Sequence, residues 1–541
     1  MARGMTPEAS PLSLLRRPGF RTIWLAAMAS NLGHWIQTVA AAWLMTTLTA
    51  SPVLIALVQS SAHLPLAILS LPAGVISDSY DRRKLLIFSQ VLGLCVAVVM
   101  TVLAFLGLMT PWILLGLSFA VGCAMAIQNP PWQSSLVDFV GRENLPAAVG
   151  LNSMGVNAMR SLGPAIGGLV VAGLGAAVAF ALNALSFCVL ALRLLVWKSP
   201  RKTSELPTES FMPALSAGLR YASLAPNIQS VLLRAFVFGL SAVSTNALLP
   251  LVVQRELGLG ALAYGLLLAC FGVGAVMGAL TNPRLRARYS GETVVRGGLI
   301  ATGIAQAVIA LVPVSAAIAP ALALAGASWV ICLNLFNVTV QLSTPRWVVG
   351  RTLAIYNTAV FGGMTLGSWL WGNVVETASI EAALLLAGAV AFVGAVLGLR
   401  FPLPEYAHLR LEPANVFRRP EVSPNILPRS GPIMIRIEFE VAPENHDAFL
   451  IVMAERRRLA LRTGARNWSL LRDIENPLIW AEKYYFPTWT EYLRHHERRT
   501  KDDYELSLRM REVIEGVPQV RRYIERQALP DRPDHLSVEF H

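Results

Sequence analysis

Charge is the first thing this chain has little of. Asp, Glu, Lys and Arg make up 14% of 541 residues, against 54% hydrophobic ones. That balance excludes an ordinary soluble domain, whose charged share is about a quarter. Cysteine is scarce as well. Cys95, Cys123, Cys188, Cys270 and Cys332 all fall in apolar runs and none pairs at metal-ligand spacing. A disulfide framework and a structural zinc site are therefore excluded. No Asp or Glu falls deep inside any apolar run, so the buried carboxylate that usually carries a coupling proton is missing. Beyond residue 400 there is no Cys and no metal spacing, which speaks against a metal enzyme there.

What the chain does have is hydrophobic length. Between Thr22 and Arg400 twelve apolar segments follow one another. They lie at roughly 22–46, 53–76, 85–108, 111–132, 146–172, 176–197, 227–252, 261–281, 293–313, 319–341, 352–375 and 380–400, each near the ~20 residues that a bilayer requires. In lipid no water satisfies stray backbone groups, so each run is expected to be a helix. The first run is too long and wrongly flanked for a removable signal peptide, and is read as a retained helix. The expectation is an all-α polytopic membrane protein of twelve transmembrane helices, moving a small molecule across the bilayer.

The formal charge of +12 invites a nucleic-acid reading, but its distribution excludes one. Residues 1–400 hold 23 Lys and Arg against 11 Asp and Glu, whereas 401–541 hold 22 of each. The excess sits in alternate loops. Arg16, Arg17 and Arg21 precede the first span, Arg82, Arg83 and Lys84 follow the second, and Arg284, Arg286 and Arg288 follow the eighth. By the positive-inside rule both termini are expected in the cytoplasm.

Five segments result: a six-helix half at 1–197, a central cytoplasmic link at 198–226, a second six-helix half at 227–400, a Pro-rich linker at 401–431 and a cytoplasmic domain at 432–541. The halves carry traces of one repeat. Gly141-Arg142, Asn152 and Gly163 are echoed by Gly350-Arg351, Asn357 and Gly367. In the last segment Ile433, Ile435, Ile437 and Phe439 alternate with Met434, Arg436, Glu438 and Glu440, the period of a half-buried strand. A helix near 443–463, two strands flanking Asn476-Pro477, a helix over 488–514 and a strand near 519–527 complete the order βαββαβ. That is a small ferredoxin-like α+β domain.

Three sets of residues carry chemistry. Between spans two and three stand Gly74, Asp78, Asp81, Arg82, Arg83 and Lys84. This stretch resembles the signature loop of the major facilitator superfamily, apart from Ser79 and Asp81 where that family usually has a basic residue and glycine. The resemblance implies the superfamily's fold, and a cytoplasmic gating loop in which Gly74 admits a close helix and Asp78, Arg82 and Arg83 hold the gate. Span five carries Gly155, then Gly163-Pro164 and Gly167-Gly168. These look like the glycine-proline motif in the fifth helix of that family's exporters, which implies export.

Arg160 lies one turn before that motif, near mid-span, where an arginine is costly and normally faces the bundle interior. It is the first candidate for a substrate-facing charge, beside Asn157; a structural charge is the alternative. His34 with Gln37 on span one, and Asn334, Asn337 and Gln341 on span ten, each share a helix face. Such a face lines a cavity or joins helices. Proton coupling, if the chain has it, falls to His34, His63 or Asp78. No cofactor and no metal is expected.

Further segments point to one bacterial branch. Gly141-Arg142-Glu143-Asn144-Leu145-Pro146, Gly464-Ala465-Arg466-Asn467-Trp468 and Trp489 through Arg498 resemble the enterobactin-exporter-like group, often labelled transmembrane secretion effectors. The resemblance covers most of the chain and implies release of a siderophore-like compound or a drug. The tail is similar to small antibiotic-biosynthesis monooxygenases. That implies a dimer, and either cofactor-independent oxidation or simple ligand binding. His495 and His496, amid Arg494, Glu497 and Arg498, read best as a solvated charged helix face; a ligand-binding histidine is the alternative. Two other readings stay open: an importer, and a transporter whose tail modifies the cargo.

Overall fold

The structure, a computed structural model, describes residues 11–197, 211–345, 347–404, 410–412, 414, 420 and 426–525. The chain divides into two compact units. One holds Met1–Ala222, Pro226–Ser343 and Val349–Tyr406; the other holds Ser223–Ala225, Thr344–Val348 and Ala407–His541.

The first unit is helical throughout. Its elements are α1 (Pro18–Leu48), α2 (Pro52–Ser79), α3 (Arg82–Phe105), α4 (Pro111–Val140), α5 (Leu145–Val196), α6 (Phe211–Leu224), α7 (Pro226–Leu251), α8 (Ala261–Arg288), α9 (Gly291–Leu311), α10 (Ser315–Leu342), α11 (Val349–Thr377) and α12 (Ile380–Arg400). Local chemistry sets the starts. Proline stands in the first turn of α1, α2, α4 and α5, where its missing N–H costs nothing. Asp81, Ser290 and Ser379 cap α3, α9 and α12 through their side chains.

Among the described residues nine helices are long and apolar enough to cross a membrane. The α5 run is 52 residues long, about twice a bilayer's need, and breaks at Gly175 (φ 84°, ψ 170°). Only glycine adopts that backbone without strain, so one continuous run holds both the fifth and the sixth expected spans. The long helices α1 and α11 fall outside the nine; polar residues such as Asn31, His34 and Gln37, or Asn357 and Asn373, dilute their hydropathy.

Two sequence expectations change. The signature between spans two and three is almost entirely helical: α2 reaches Ser79 and α3 begins at Arg82, leaving Tyr80 and Asp81 as the turn. Asp78 is helical in α2, and its side chain lies outside the described residues. The central link is not all irregular either, because α6 occupies its second part; residues 198–210 lie outside the described residues, as does most of the Pro-rich linker.

The two halves pack alike. Helix α1 lies against α5, and α11 lies against α7. A Cβ built at Gly163 would sit 2.4 Å from Trp35 Cβ on α1; one at Gly367 would sit 2.4 Å from the Leu240 carbonyl on α7. These two glycines of the sequence repeat therefore fill matching places. Each half also has a buried polar knot. In the first, Asn183 donates to Gln37 Oε1, and Gln37 Nε2 reaches Met100 Sδ at 3.5 Å. In the second, Gln306 Nε2 donates to the Ser241 carbonyl and to Ser244 Oγ, both at 2.9 Å. The halves meet along α2–α11 and α5–α8.

The second unit holds β1 (Ile433–Glu440), α13 (His446–Thr463), β2 (Arg466–Arg472), β3 (Ile479–Phe486), α14 (Trp489–Glu497), α15 (Lys501–Val513) and β4 (Glu515–Ile524). The sheet order is β2-β3-β1-β4, with every pairing antiparallel. Ile433, Ile435, Ile437 and Phe439 form the buried face with Phe449 and Met453 of α13. The single helix expected over 488–514 is two helices. A capping box starts α15: Thr500 Oγ1 accepts from Asp503 N, and the Asp503 carboxylate accepts from Thr500 N at 2.8 Å. The last strand starts at Glu515, four residues before the expected place.

Candidate substrate cavity

Between the two halves of the helical unit lies a cavity of about 440 Å³, within the usual range for small-molecule sites. Helices α1, α2, α4 and α5 build most of its wall; α7, α8, α10 and α11 contribute Asn246, Leu268, Phe271, Trp329, Leu333 and Phe361. Its aromatic surface comes from Trp35, Trp132, Trp329, Phe271 and Phe361. Trp329 sits edge-on to Phe271, centroids 5.9 Å apart.

Polar groups reach into this apolar shell without protein partners. His34 Nδ1, His63 Nδ1, Ser118 Oγ, Gln128 Oε1, Arg160 Nε and Asn246 Oδ1 are each buried and unbonded, and each residue lines the cavity. Buried polar atoms are normally hydrogen-bonded, so six unpartnered ones in residues around one cavity set this region apart. The charge has one sign. Arg160 is the only charged residue among the lining residues, and its guanidinium carbon stands 5.8 Å from the Trp35 ring centroid. Among the described residues no Asp or Glu lines the cavity.

The structure sorts the sequence candidates. Arg160, His34 and Gln37 all line the cavity. Gln37, however, is 4% exposed and its amide is engaged by Asn183 and Met100, so it braces α1 against its neighbours. Asn157 is not among the lining residues, although its backbone carbonyl accepts from Ser161 Oγ at 3.2 Å. Asn334 and Asn337 are not among them either: Asn334 is exposed, and Asn337 accepts from Gln341 at 2.5 Å. Gln59, Ser118, Gln128 and Gln133 line it without having been among the site candidates, and His63, a candidate for proton coupling, lines it too. Gln59 and His63, one turn apart on α2, were a readable signal; Gln128 and Ser118 were not, because α4 is polar on several faces.

The gating candidates bind within their own half. Arg82 Nη1 pairs with Asp138 of α4 at 3.2 Å and donates to the Ser134 carbonyl at 3.1 Å. Arg83 donates to the Leu194 and Leu195 carbonyls at the end of α5, at 3.0 and 2.5 Å. Gly74 is helical, with open space where a Cβ would stand. Arg234 is 1% exposed and pairs with Glu292, which also accepts from Leu403 N at 2.9 Å.

The helix-five motif is a packing device with two faces. Gly155, Gly163 and Gly167 lie against Met28, Trp35 and Ile36 of α1. Gly168 faces the other way: a Cβ there would sit 2.7 Å from Gly265 Cα on α8, and one at Gly265 would sit 2.6 Å from the Pro164 carbonyl. Pro164 itself reaches the cavity.

In the tail, the histidines are not a solvated face. His495 is 4% exposed, bonds Thr463 Oγ1 through Nδ1 at 2.7 Å, and packs 5.0 Å from the Phe486 ring. Burial, then the His496 and arginine charges nearby, hold its pKa well below the usual value; burial with Arg499 and Arg522 lowers His496 to about 3. The sequence missed this because charged neighbours on a helix conceal which face is buried. Beside it, buried Glu482 accepts from Arg456 and from Trp468 Nε1, both at 2.7 Å.

The model of the transmembrane secretion effector family matches residues 9–529. The chain belongs to this family. It resembles the enterobactin exporter EntS of Salmonella typhimurium, 27% identical over 372 residues that make up 67% of this chain and 87% of that one. It resembles the multidrug efflux pump Tap of Mycolicibacterium fortuitum, 24% identical over 67% of this chain and 90% of that one. The staphyloferrin A transporter of Staphylococcus aureus is 24% identical over 47% of this chain and 64% of its own length. The nucleoside transporter NupG superposes with a TM-score of 0.57 at 13% identity, over 71% of this chain and 98% of that one. A bacterial Spinster homologue solved inward-facing and occupied gives 0.55 at 15% identity, over 74% and 98%. This secretion-effector chain is thus a small-molecule transporter of the major facilitator type, and its helices form a membrane-embedded bundle.

Proposed function

We propose that this protein exports a small organic anion with aromatic surface across a bacterial inner membrane, by alternating access around the cavity. Twelve crossings follow when α5 is divided at Gly175 and α1 and α11 are counted with the nine most apolar helices. The basic ends then face the cytoplasm together with both termini, and we read the tail's β2-β3-β1-β4 sheet as ferredoxin-like. Arg160 carries the substrate reading. Among the described lining residues it is the one cation and there is no carboxylate; with tryptophan at its side, its guanidinium suits a carboxylate or phenolate. The neutral acceptors around it suit hydroxyl or amide donors. Export, rather than import, is supported by the exporters among the relatives and by the Gly163-Pro164 motif.

Efflux from cells overexpressing the chain tests this, with enterobactin, staphyloferrin A and the cation ethidium as probes. We expect an anionic probe to leave faster than from control cells and ethidium to be unaffected. Arg160→Ala should cut that efflux about tenfold or more, the loss of roughly one charge-assisted hydrogen bond, and Arg160→Lys should restore part of it. Anion efflux unchanged in Arg160→Ala, at equal expression, overturns the assignment.

A further inference from the structure

Along the middle of the α2–α11 seam three contacts follow one another in register. Ser60 Oγ donates to the Thr365 carbonyl at 2.8 Å. One turn on, the His63 and Phe361 rings stack with centroids 5.7 Å apart and planes 23° from parallel. One turn further, Thr358 Oγ1 donates to the Ala67 carbonyl at 2.8 Å. Positions 60, 63 and 67 share one face of α2, and 358, 361 and 365 share one face of α11. The seam therefore reads as an antiparallel zip joining the two halves, and its central tooth is the one that can change charge.

We propose that His63 is the proton-coupling residue of the transport cycle, and that its charge state decides whether the α2–α11 seam stays closed. The proposal rests on the alternating-access reading above. Two observations carry it. First, His63 lines the cavity and is part-exposed there, so a proton can reach its ring from the same space as the cargo, while its Nδ1 is buried without a hydrogen-bond partner. Second, among the described residues no carboxylate lines the cavity, and of its two histidines, His34 and His63, only His63 stacks across the α2–α11 seam. The groups that would meet an imidazolium at this place are both basic: His34 on α1 and Arg160 on α5. Helices α4, α7, α8, α10 and α11 contribute no titratable side chain to the cavity lining.

The sign follows. A charged ring in the closed seam has no counter-ion, and it loses most of its hydration. The face of Phe361 offsets only a small part of that loss. When the halves part, water reaches the ring and stabilises the charge. Protonation therefore favours the parted seam, and by linkage the parted seam favours protonation. No covalent bond to carbon changes: one proton binds nitrogen from water at one face and returns to water at the other. Neutral His63 also has one ring nitrogen free to accept from a donor on the cargo, which a bound proton removes. Proton and cargo then compete, the relation an antiporter needs.

Spin labels at Ala50→Cys and Thr377→Cys report the seam, in full-length protein whose native cysteines are replaced, reconstituted in liposomes. Both positions are exposed, just before α2 and at the end of α11. Between pH 8 and pH 5.5 we expect the open-to-closed population ratio to rise at least threefold. His63→Gln should show the same closed distance at both pH values, and His34→Gln should respond like the parent. Phe361→Leu, which keeps His63 but removes its stacking partner, should already show a raised open population at pH 8. If His63→Gln opens with acid as the parent does, the assignment to His63 fails while alternating access stands. If no variant changes distance under any pH or probe, alternating access itself fails with it.

Discussion

At the scale of single residues, position in the bundle divides similar side chains into different roles. Gln37 and His34 stand one turn apart on α1 and look equally suited to a ligand. Gln37 is consumed by Asn183, while His34 keeps an open nitrogen on the cavity wall. Arg160 and Arg234 are both arginines within spans, yet Arg234 has Glu292 and Arg160 faces no carboxylate in the cavity. In the tail the decisive residues are His495 and His496. Their folded pKa values are depressed, so below the ordinary value of about 6.5 the unfolded chain binds more protons than the folded one. The tail should be stable above that pH and lose stability steadily as pH falls toward about 3, the folded value of His496. Limited proteolysis of the tail in the intact protein, followed from pH 8 to pH 4, measures this. His495→Asn should flatten the dependence.

At the scale of elements, α5 is the informative one. Its glycines serve two contacts: α1 within the half, and α8 across the halves. Gly168 and Gly265 meet where either Cβ would approach backbone to under 3 Å. That allows the halves to slide without side chains catching, as small-residue crossings do in membranes. Gly168→Leu should abolish efflux of a transported anion and lower the melting temperature of purified protein, since overpacking costs about 1–3 kcal/mol. Gly150, with nothing within 4 Å of a built Cβ, is the control, and Gly150→Ala should leave both readings unchanged. The periodicity of α5 was legible as membrane helix and so was its motif. Which glycine faces which neighbour was not, because Gly167 and Gly168 are adjacent in sequence and only packing sends them in different directions.

At the scale of the whole molecule, the alternation of basic ends gives a topology that can be tested. With native cysteines replaced, Leu108→Cys should react with a membrane-impermeant maleimide added outside intact cells. Tyr289→Cys and Val517→Cys, both exposed, should react only after lysis. Labelling of Val517→Cys in intact cells would reverse the orientation. By itself the sequence determined the membrane class, the tail's alternating first strand and the family, because these depend on composition, period and motif, which every folded state of the chain must respect. It also pointed to Arg160, since an arginine at mid-span has few places to go. Only the tertiary structure decided that His63 lies in the seam, that Gln37 is a brace, that Asn334 and Asn337 stand away from the cavity and that His495 is buried. A helix offers each polar side chain several neighbouring faces, and which face meets a cavity, a partner or lipid is fixed by the helices that pack around it.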